Sequence, residues 1–308
     1  MLCRWLISEV FMSLAFVTAA RMSVSDQETH LLMEEVQRRG AACQLLAWDA
    51  DIDWSRFSVV MLRSPWDYHE RIKEFRAWAQ QTSQVTQLLN PWPVLDWNSH
   101  KSYLLDLQQS GVPVMPTQLL PQGTSPAPGE LGEGQFIAKP AIGIGASGIA
   151  RGLPSAPDWQ AHLHRLLQEN DVLIQPYNSS IEERGETSLI LIGEVENPMV
   201  SGSASGRGHY SHAVRKLPAS GDYRVQKQHG GTVVGHEPSA AERAVAEQAL
   251  SCVQHPVAYA RVDLVHWQGQ PVVMELELIE PELFLGRAPQ AVHRLASLLL
   301  AVRNHQRR

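Results

Sequence analysis

Three of the acidic residues between positions 258 and 285, near the end of the chain, lie within two apolar segments. The segments alternate apolar and polar residues around a Gln-Gly pair, which predicts two strands joined by a turn at residues 268–271. Glu275 and Glu277 project to the same face of the second strand, and strand pairing can bring Asp263 alongside them. Carboxylates held together between apolar strands repel one another unless a cation compensates. Oxygen donors without Cys or His favour Mg²⁺, although a ribbon with one polar face explains the pattern equally well.

A second candidate site combines a lysine with a glycine-rich segment. A strand that ends in Lys139 and Pro140 is followed by small residues whose backbone N–H groups could bind phosphate oxygens. These residues are Gly143, Gly145, Ser147 and Gly148. Their spacing matches neither the P-loop nor the dinucleotide-binding fingerprint, and a hairpin turn explains the loop when it is considered alone.

Polar and aromatic residues directly follow the third predicted strand, at positions Arg63, Ser64, Trp66, Asp67 and Tyr68. Ligands of α/β sheets bind beyond the carboxyl ends of the strands. The segment therefore predicts a pocket for a small zwitterion. In this pocket Arg63 would bind a carboxylate, Asp67 would bind an ammonium group, and Trp66 or Tyr68 would exclude water. A proline-containing turn that caps the next helix is the alternative.

The first hundred residues predict a small α/β unit on a parallel sheet. Residues 13–20 form the first strand, and a capping box at residues 25–28 opens a helix that ends at Gly40. Two short apolar strands follow at residues 43–48 and 58–62, as expected for buried parallel strands.

The rest of the chain alternates strands and helices. A helix opens at Asn98, carries Lys101 in its first turn and runs to Gly111, and residues 121–134 are rich in Pro, Gly and Ser, as in a hinge. Further strands are predicted at residues 172–177, 188–192 and 199–203, and further helices at residues 158–169, after Ser239 and at residues 289–303.

Composition excludes several classes of protein. The chain has 308 residues with 44% hydrophobic and 19% charged content, as in an ordinary globular protein. A formal charge of −6 without a long basic run argues against a nucleic-acid binder. Three scattered cysteines indicate neither disulfides nor zinc, which favours a cytoplasmic location.

The N-terminal residues resemble a secretory signal, since an apolar run follows Arg4 and ends in small residues. Glu9 interrupts that run, however, and the first helix needs a strand as its partner. We therefore favour a strand, with the residues before Met12 as a short extension or a misplaced start. No segment reaches the roughly 20 apolar residues of a membrane span.

Taken in order, these features resemble the ATP-grasp superfamily. The matching pieces are Lys101, Lys139-Pro, the glycine-rich loop, Gln175-Pro-Tyr, Arg224 before a Gly-Gly pair, and the three carboxylates. Prokaryotic glutathione synthetase is similar over roughly residues 98–285. The glutathione-synthetase-like family that includes the O-ureido-serine cyclo-ligase of cycloserine biosynthesis is similar from Ser13 onwards. The segments R-S-P-W-D-Y-H-E-R, G-D-Y-R-V-Q-K-Q-H-G-G and M-E-L-E-L-I-E-P-E-L-F carry that likeness.

The resemblance implies an ATP-grasp fold in two domains. Residues 1–97 would form an N-terminal parallel-sheet unit on the substrate side. Residues 98–308 would form the ATP-grasp domain, with a lid at about residues 113–178 and a C-terminal α+β part with an antiparallel sheet.

It also implies roles for the residues named above. Lys101 and Lys139 would hold the α- and β-phosphates of ATP, and the loop at residues 143–148 would close over the triphosphate. The adenine would meet backbone groups of Gln175, Pro176 and Tyr177, and Glu183 or Glu186 would bind the ribose. Asp263, Glu275 and Glu277 would hold two Mg²⁺ ions, with Mn²⁺ as a substitute. Arg224 would stabilise the moving phosphoryl group, and Arg224 or Arg261 the tetrahedral intermediate.

The implied function is an ATP-dependent carboxylate–amine (or related nitrogen) ligase that acts through an acylphosphate on an amino-acid-like substrate. Intramolecular cyclisation is one form of that reaction, and the joining of two molecules, as in glutathione synthetase or amino-acid ligases, is another. A nucleotide-binding module without catalysis is the opposing alternative, which the complete set of polar residues disfavours. Many ATP-grasp ligases carry Asn where Glu277 stands. The implied partners are ATP and the substrate, with neither nucleic acid nor membrane, and a homo-oligomer is compatible with the sequence.

Overall fold

A parallel sheet of four strands forms the first part of the chain in the computed structural model, which describes residues 13–21, 26–194 and 208–305. The sheet has the order β2-β1-β3-β4, and its short apolar strands follow the predicted pattern. Its strands are β1 Ser13–Thr18, β2 Cys43–Ala47, β3 Phe57–Ser64 and β4 Gln87–Leu89, and its helices are α1 Gln27–Arg38 and α2 Ile72–Val85.

Helix α1 begins one residue later than the predicted capping box implies. Asp26 is the N-cap, and its carboxylate accepts hydrogen bonds from the backbone N–H groups of Glu28 and Thr29. Ser25 of the predicted box lies outside the described residues. The Glu28 side chain accepts from the N–H groups of Leu283 and Leu285 instead of closing a box. The start of α1 is thereby joined to the C-terminal part of the chain.

The helix predicted from Asn98 to Gly111 is wrong in one respect, because two short helices replace it. These are α3 Trp92–Asn98 and α4 Tyr103–Gln109. Asn98 is buried, and its amide bonds the carbonyl of Leu276 and the N–H of Leu278, so it cannot act as an N-cap. Lys101 consequently lies in the turn between the two helices.

A second sheet is antiparallel and has the order β5-β8-β6-β7. One helix, α5 Pro157–Glu169, packs against it through Trp159, Leu163 and Leu167. The strands are β5 Gln118–Leu120, β6 Phe136–Pro140, β7 Ala150–Gly152 and β8 Val172–Pro176.

A third sheet of five antiparallel strands completes the fold in the order β11-β10-β9-β12-β13. Its strands are β9 Glu186–Ile192, β10 His209–Leu217, β11 Thr232–Gly235, β12 Tyr259–Trp267 and β13 Gln270–Glu277. The last helices are α6 Ser180–Arg184, α7 Ala240–Ser251, which the predicted box of Ser239 and Glu242 caps, and α8 Pro289–His305. The strand predicted at residues 199–203 lies outside the described residues.

The alternation of residues in the third sheet gives it two different faces. Leu189, Leu191, Val262, Leu264 and Leu276 pack on one side with α4 and α7. Further along the opposite face, apolar residues of β9 and β12 join a core with α1, α8 and the first sheet. The predicted α/β fold with a parallel N-terminal and an antiparallel C-terminal sheet is confirmed. Within the described residues, no helix has the length and apolar character needed to cross a membrane.

Candidate active site

A cleft of about 930 Å³ brings together residues of all three sheets. The strand β6 and the glycine-rich loop form one wall, β12 and β13 form the floor, and residues after β3 close one end. Most of the predicted site residues line this cleft.

The three predicted metal ligands converge on the floor of the cleft. The turn between β12 and β13 is tighter than predicted, because Gln268 and Gly269 alone connect the strands, both with positive φ. This register places Asp263 opposite Glu275 and Arg261 opposite Glu277. One oxygen from each of the three carboxylates lies within 4.8 Å of the others. The donor set contains only oxygen, which fits Mg²⁺.

Cations already surround these carboxylates. Arg261 contacts Asp263 at 3.0 Å and also pairs with Glu277, while Lys216 contacts Asp263 at 3.1 Å and pairs with Glu186. Burial alone would raise the pKa of Asp263, but Arg261 and Lys216 lower it well below its usual range. Burial raises the pKa of Glu277 to about 7, against the influence of Arg261.

The two predicted phosphate-binding lysines differ in their partners. Lys101 donates to the carbonyl of Gly143 at 2.9 Å and pairs with Glu275 at 2.7 Å. Burial opposes its charge, but Glu275 raises its pKa overall. Lys139 is buried on β6 without an ion pair among the described residues, and burial lowers its pKa to about 8. Among the described residues that line the cleft, Lys139 is the buried cation without an ion pair, which leaves it available for an incoming anion.

Three of the four predicted loop residues line the cleft, namely Gly143, Gly145 and Ser147. Gln228 reaches across from the other wall and donates to the carbonyl of Gly145 at 3.0 Å. Gly148 does not line the cleft. It has a positive φ of 71°, and a Cβ there would lie 3.0 Å from the Pro140 side chain, so its role is to let the loop turn.

Gln175, Pro176 and Tyr177 line the cleft where the second sheet ends. The N–H of Tyr177 donates to the carbonyl of Gln135 at 2.8 Å, so this group is not available to an adenine as predicted. The guanidinium of Arg151 lies 3.6 Å from the centroid of the Tyr177 ring. Of the two candidate ribose ligands, Glu186 lines the cleft beside Lys216, whereas Glu183 is exposed on α6 outside it.

Both predicted catalytic arginines line the cleft. Arg261 is buried among the carboxylates and also donates to the carbonyl of Glu282 at 3.2 Å. Arg224 is half-exposed and held by Asp222, with 2.7 Å between Nη2 and Oδ2. Asp222 is thereby kept ionised, since this hydrogen bond lowers the pKa of its carboxyl well below the usual range.

The predicted substrate segment divides into lining and supporting residues. Trp66 and Tyr68 line the cleft, and so does the buried Arg63. Arg63, however, is held by Glu28 at 3.3 Å, by Thr29 and by the carbonyl of Pro281. Its guanidinium therefore joins two parts of the fold, which departs from the predicted role of binding a free carboxylate.

Ser64 and Asp67 do not line the cleft, which contradicts their predicted role in binding substrate. Ser64 is fully buried and donates to the hydroxyl of Thr18. The carboxylate of Asp67 accepts hydrogen bonds from Nε1 of Trp48 at 2.8 Å and from Arg71 at 2.6 Å. Both positions therefore support the wall of the pocket from behind.

The prediction missed three polar residues of the site. Lys216 on β10 and Ser188 on β9 both contact Asp263, because the strand order brings them to the same face of the third sheet. Glu280, just after β13, is buried and lines the cleft near Tyr68. The alternation of polar residues at positions 186 and 188 was the available signal for this polar face. No local motif identifies Lys216 or Glu280.

Comparison with known proteins matches residues 14–90 to the family described as D-cycloserine synthetase DcsG, N-terminal domain. The cycloserine biosynthesis protein DcsG of Streptomyces lavendulae is 34% identical, over 93% of this chain and 97% of that protein. The likeness therefore includes the residues of all three sheets that line the cleft.

Solved structures agree with this result. The crystal structure of D-cycloserine synthetase DcsG superposes with a TM-score of 0.80 and 31% identity, covering 96% of this chain and 99% of that one. D-alanine–D-alanine ligase from Bacillus anthracis has the same fold, with a TM-score of 0.66 at 13% identity over 96% of this chain and 97% of that one.

Proposed function

We propose a specific reaction for this chain, which belongs to the family of the cycloserine biosynthesis protein DcsG and is an ATP-dependent ligase of the ATP-grasp fold. The reaction is the cyclisation of an amino-acid-like substrate, through an acylphosphate, to a cycloserine-type ring. The observation that carries the proposal is the extent of the likeness to DcsG. It covers 93% of the chain and includes residues 14–90, whose fold forms the end of the cleft away from the nucleotide-binding loop.

The reaction has two steps. A carboxylate oxygen of the substrate attacks the γ-phosphorus of ATP, the bond to the bridging oxygen breaks, and ADP leaves. A nitrogen of the same molecule then attacks the carbonyl carbon of the acylphosphate, the bond from carbon to the phosphate oxygen breaks, and the nitrogen loses a proton.

The side chains of the cleft match these steps. Lys139, which has no anionic partner in the part of the chain that the structure describes, binds the phosphate groups, and the loop at residues 143–147 excludes water that would hydrolyse the acylphosphate. Arg224 lines the cleft, where it stabilises the transferred phosphoryl group. Arg261 lies beside the carboxylates, where it stabilises the oxyanion of the tetrahedral intermediate.

Asp263, Glu275 and Glu277 would hold Mg²⁺, and we propose two ions with Mn²⁺ as an acceptable substitute. Bound Mg²⁺ would neutralise phosphate charge during the transfer. In the absence of nucleotide, Arg261, Lys216 and Lys101 balance the same carboxylates. Each of these basic side chains is therefore available to turn towards phosphate oxygens when metal binds.

The test is a screen for ADP release with ATP, Mg²⁺, both enantiomers of O-ureidoserine and the common amino acids, followed by mass spectrometry. We expect ADP and phosphate, together with a product lighter than one substrate molecule. A product that contains two substrate molecules would refute cyclisation. AMP and pyrophosphate would refute the acylphosphate, and a lack of nucleotide consumption with every substrate would refute the proposed function.

A further inference from the structure

Glu280 differs from most acidic residues of the cleft, because no described residue provides it with a cationic partner. Six of the others have one: Glu275 pairs with Lys101, Asp263 and Glu277 with Arg261, Glu186 with Lys216, Glu28 with Arg63 and Glu282 with Lys227. The remaining one, Asp26, is the N-cap of α1, where its carboxylate accepts hydrogen bonds from the backbone N–H groups of Glu28 and Thr29. Glu280 forms no ion pair with any residue that the structure describes. Its side chain is nevertheless buried, with 9% exposure, and it lines the cleft.

A buried carboxylate without a cation is costly to maintain. Burial and the neighbouring Glu277 raise the pKa of Glu280 to about 8, against the weaker influences of Lys101 and Tyr68. A cation that arrives with the substrate would remove this cost. Glutamine would fill the same space without this cost.

The surroundings of Glu280 favour an ammonium group as that cation. The buried hydroxyl of Tyr68 interacts with the carboxylate, and Trp66 lines the cleft two residues earlier. Aromatic rings stabilise ammonium groups through their faces. Asp67, the predicted ammonium ligand, is already held by Trp48 and Arg71 behind this wall.

We infer that the carboxylate of Glu280 binds the α-ammonium group of the amino-acid substrate and thereby places its carboxylate for phosphorylation. The inference rests on the proposed function and adds the residue that selects an amine-bearing substrate. Glu280 follows the metal-ligand candidate Glu277 by three residues, at the end of β13. In an α-amino acid the ammonium and carboxylate groups flank one carbon atom, so an ammonium at Glu280 keeps the carboxylate close to this end of the metal site.

The experiment compares ligands with and without the amine on matched variants. The probes are O-ureidoserine, D-cycloserine and 3-(ureidooxy)propanoate, which is O-ureidoserine without its α-amine. Their binding is measured by calorimetry in the presence of ADP and Mg²⁺, with the ADP-release assay as a separate readout. The variants are Glu280→Gln, Glu280→Asp and the control Glu282→Gln, whose carboxylate also lines the cleft but pairs with Lys227 at 2.5 Å.

In the wild type, loss of the amine should weaken binding about 10- to 100-fold, the range of a charge-assisted hydrogen bond. In Glu280→Gln the amine-bearing ligands should bind as weakly as the analogue, while the affinity for ADP stays unchanged. Glu280→Asp should recover part of the preference for the amine, and Glu282→Gln should keep it within about threefold.

A preference for the amine that persists in Glu280→Gln would overturn the inference, as would a wild type that binds no amine-bearing probe. A changed Mg²⁺ requirement without a change in amine preference would make Glu280 a metal ligand and would also overturn it. Amine-dependent binding that Glu280→Gln abolishes, without ADP release, would refute the proposed function but would still support the contact between Glu280 and the ammonium group. If Glu280→Gln failed to fold, Glu280→Asp would serve as the test. Its side chain is one methylene shorter, so a direct contact with the ammonium group should weaken, and an unaltered preference for the amine would overturn the inference.

Discussion

The two predicted phosphate-binding lysines of the cleft, Lys139 and Lys101, should respond in opposite ways to the same substitution. Burial lowers the pKa of Lys139 from 10.5 to about 8, and no anion among the described residues pairs with it. Lys101 has the opposite environment, with Glu275 at 2.7 Å. Lys139→Met should therefore stabilise the ligand-free protein, and Lys101→Met should destabilise it.

The magnitude follows from the pKa. The fall of the Lys139 pKa from 10.5 to about 8 means that burying this side chain in its charged form costs about 3 kcal/mol of folding free energy. The folded state binds the proton more weakly than the unfolded state, so the penalty is complete below pH 8 and disappears as the pH rises towards 10.5. At neutral pH, Lys139→Met should raise the free energy of unfolding by up to about 3 kcal/mol. Lys101→Met should lower it by about 3 kcal/mol, because Glu275 is left without its cation.

In Lys139→Met, the affinity for ATP should fall although the stability of the ligand-free protein rises. Removal of the Lys139 charge eliminates a contact with phosphate worth about 1.5–3 kcal/mol, so the Kd of ATP should rise about 10- to 150-fold. Urea denaturation without nucleotide, followed by tryptophan fluorescence, gives the stability, and calorimetry with ATP and Mg²⁺ gives the affinity. A Lys139→Met protein that is less stable than the wild type, or that binds ATP equally well, would refute this account of Lys139.

Three further predictions address the metal site, the pocket wall and pH. Glu275→Gln should reduce turnover by several orders of magnitude in a folded protein, and near-normal steady-state rates would exclude it as a metal ligand. Asp67→Ala should lower the free energy of unfolding by about 1–3 kcal/mol, because Trp48 and Arg71 lose their acceptor, while KM values for ATP and substrate stay within twofold; a selective rise in the substrate KM would return Asp67 to the substrate site. The affinity of the wild type for ATP should fall by up to about tenfold per pH unit above about pH 8, as Lys139 loses its proton. Lys139→Arg, which stays charged, should flatten that profile in calorimetry between about pH 7 and 9, and an equally steep profile in this variant would assign the titration to another group.

The sequence predicted the parts of the site that depend on neighbouring residues. The hairpin of β12 and β13 has a two-residue connection, so its pairing is local, and the opposition of Asp263 and Glu275 could be expected from the pattern alone. The strand that ends at Lys139 and the loop after it are likewise consecutive in the chain. The domain boundaries near residue 97 and the roles of the individual site residues stay predictions.

The predictions from the sequence that were wrong or incomplete concern residues whose contacts lie far away along the chain. Asn98 has the composition of a helix cap, but its amide is used by the backbone of residues 276 and 278, far along the chain. Lys216 reaches Asp263 only because β9 lies between β10 and β12, and the sequence does not specify that strand order. Asp67 looked free for an ammonium group because Trp48, which precedes it by 19 residues, could not be placed behind it.

The charges of the cleft suggest how binding and folding are balanced in this protein. Most of its acidic and basic side chains neutralise one another, and these pairs allow the polar face of the third sheet to be buried. Among the described residues that line the cleft, three buried charged residues have no ion pair. Asp26 is compensated by the N-terminus of α1, whereas burial disfavours the charged forms of Lys139 and Glu280. ATP brings anionic groups that can pair with the lysine, and an amino acid brings a cation that can pair with the glutamate. Each ligand would therefore stabilise the fold at the position where the free protein is least well compensated, and a substrate without an amine would leave Glu280 buried and unpaired.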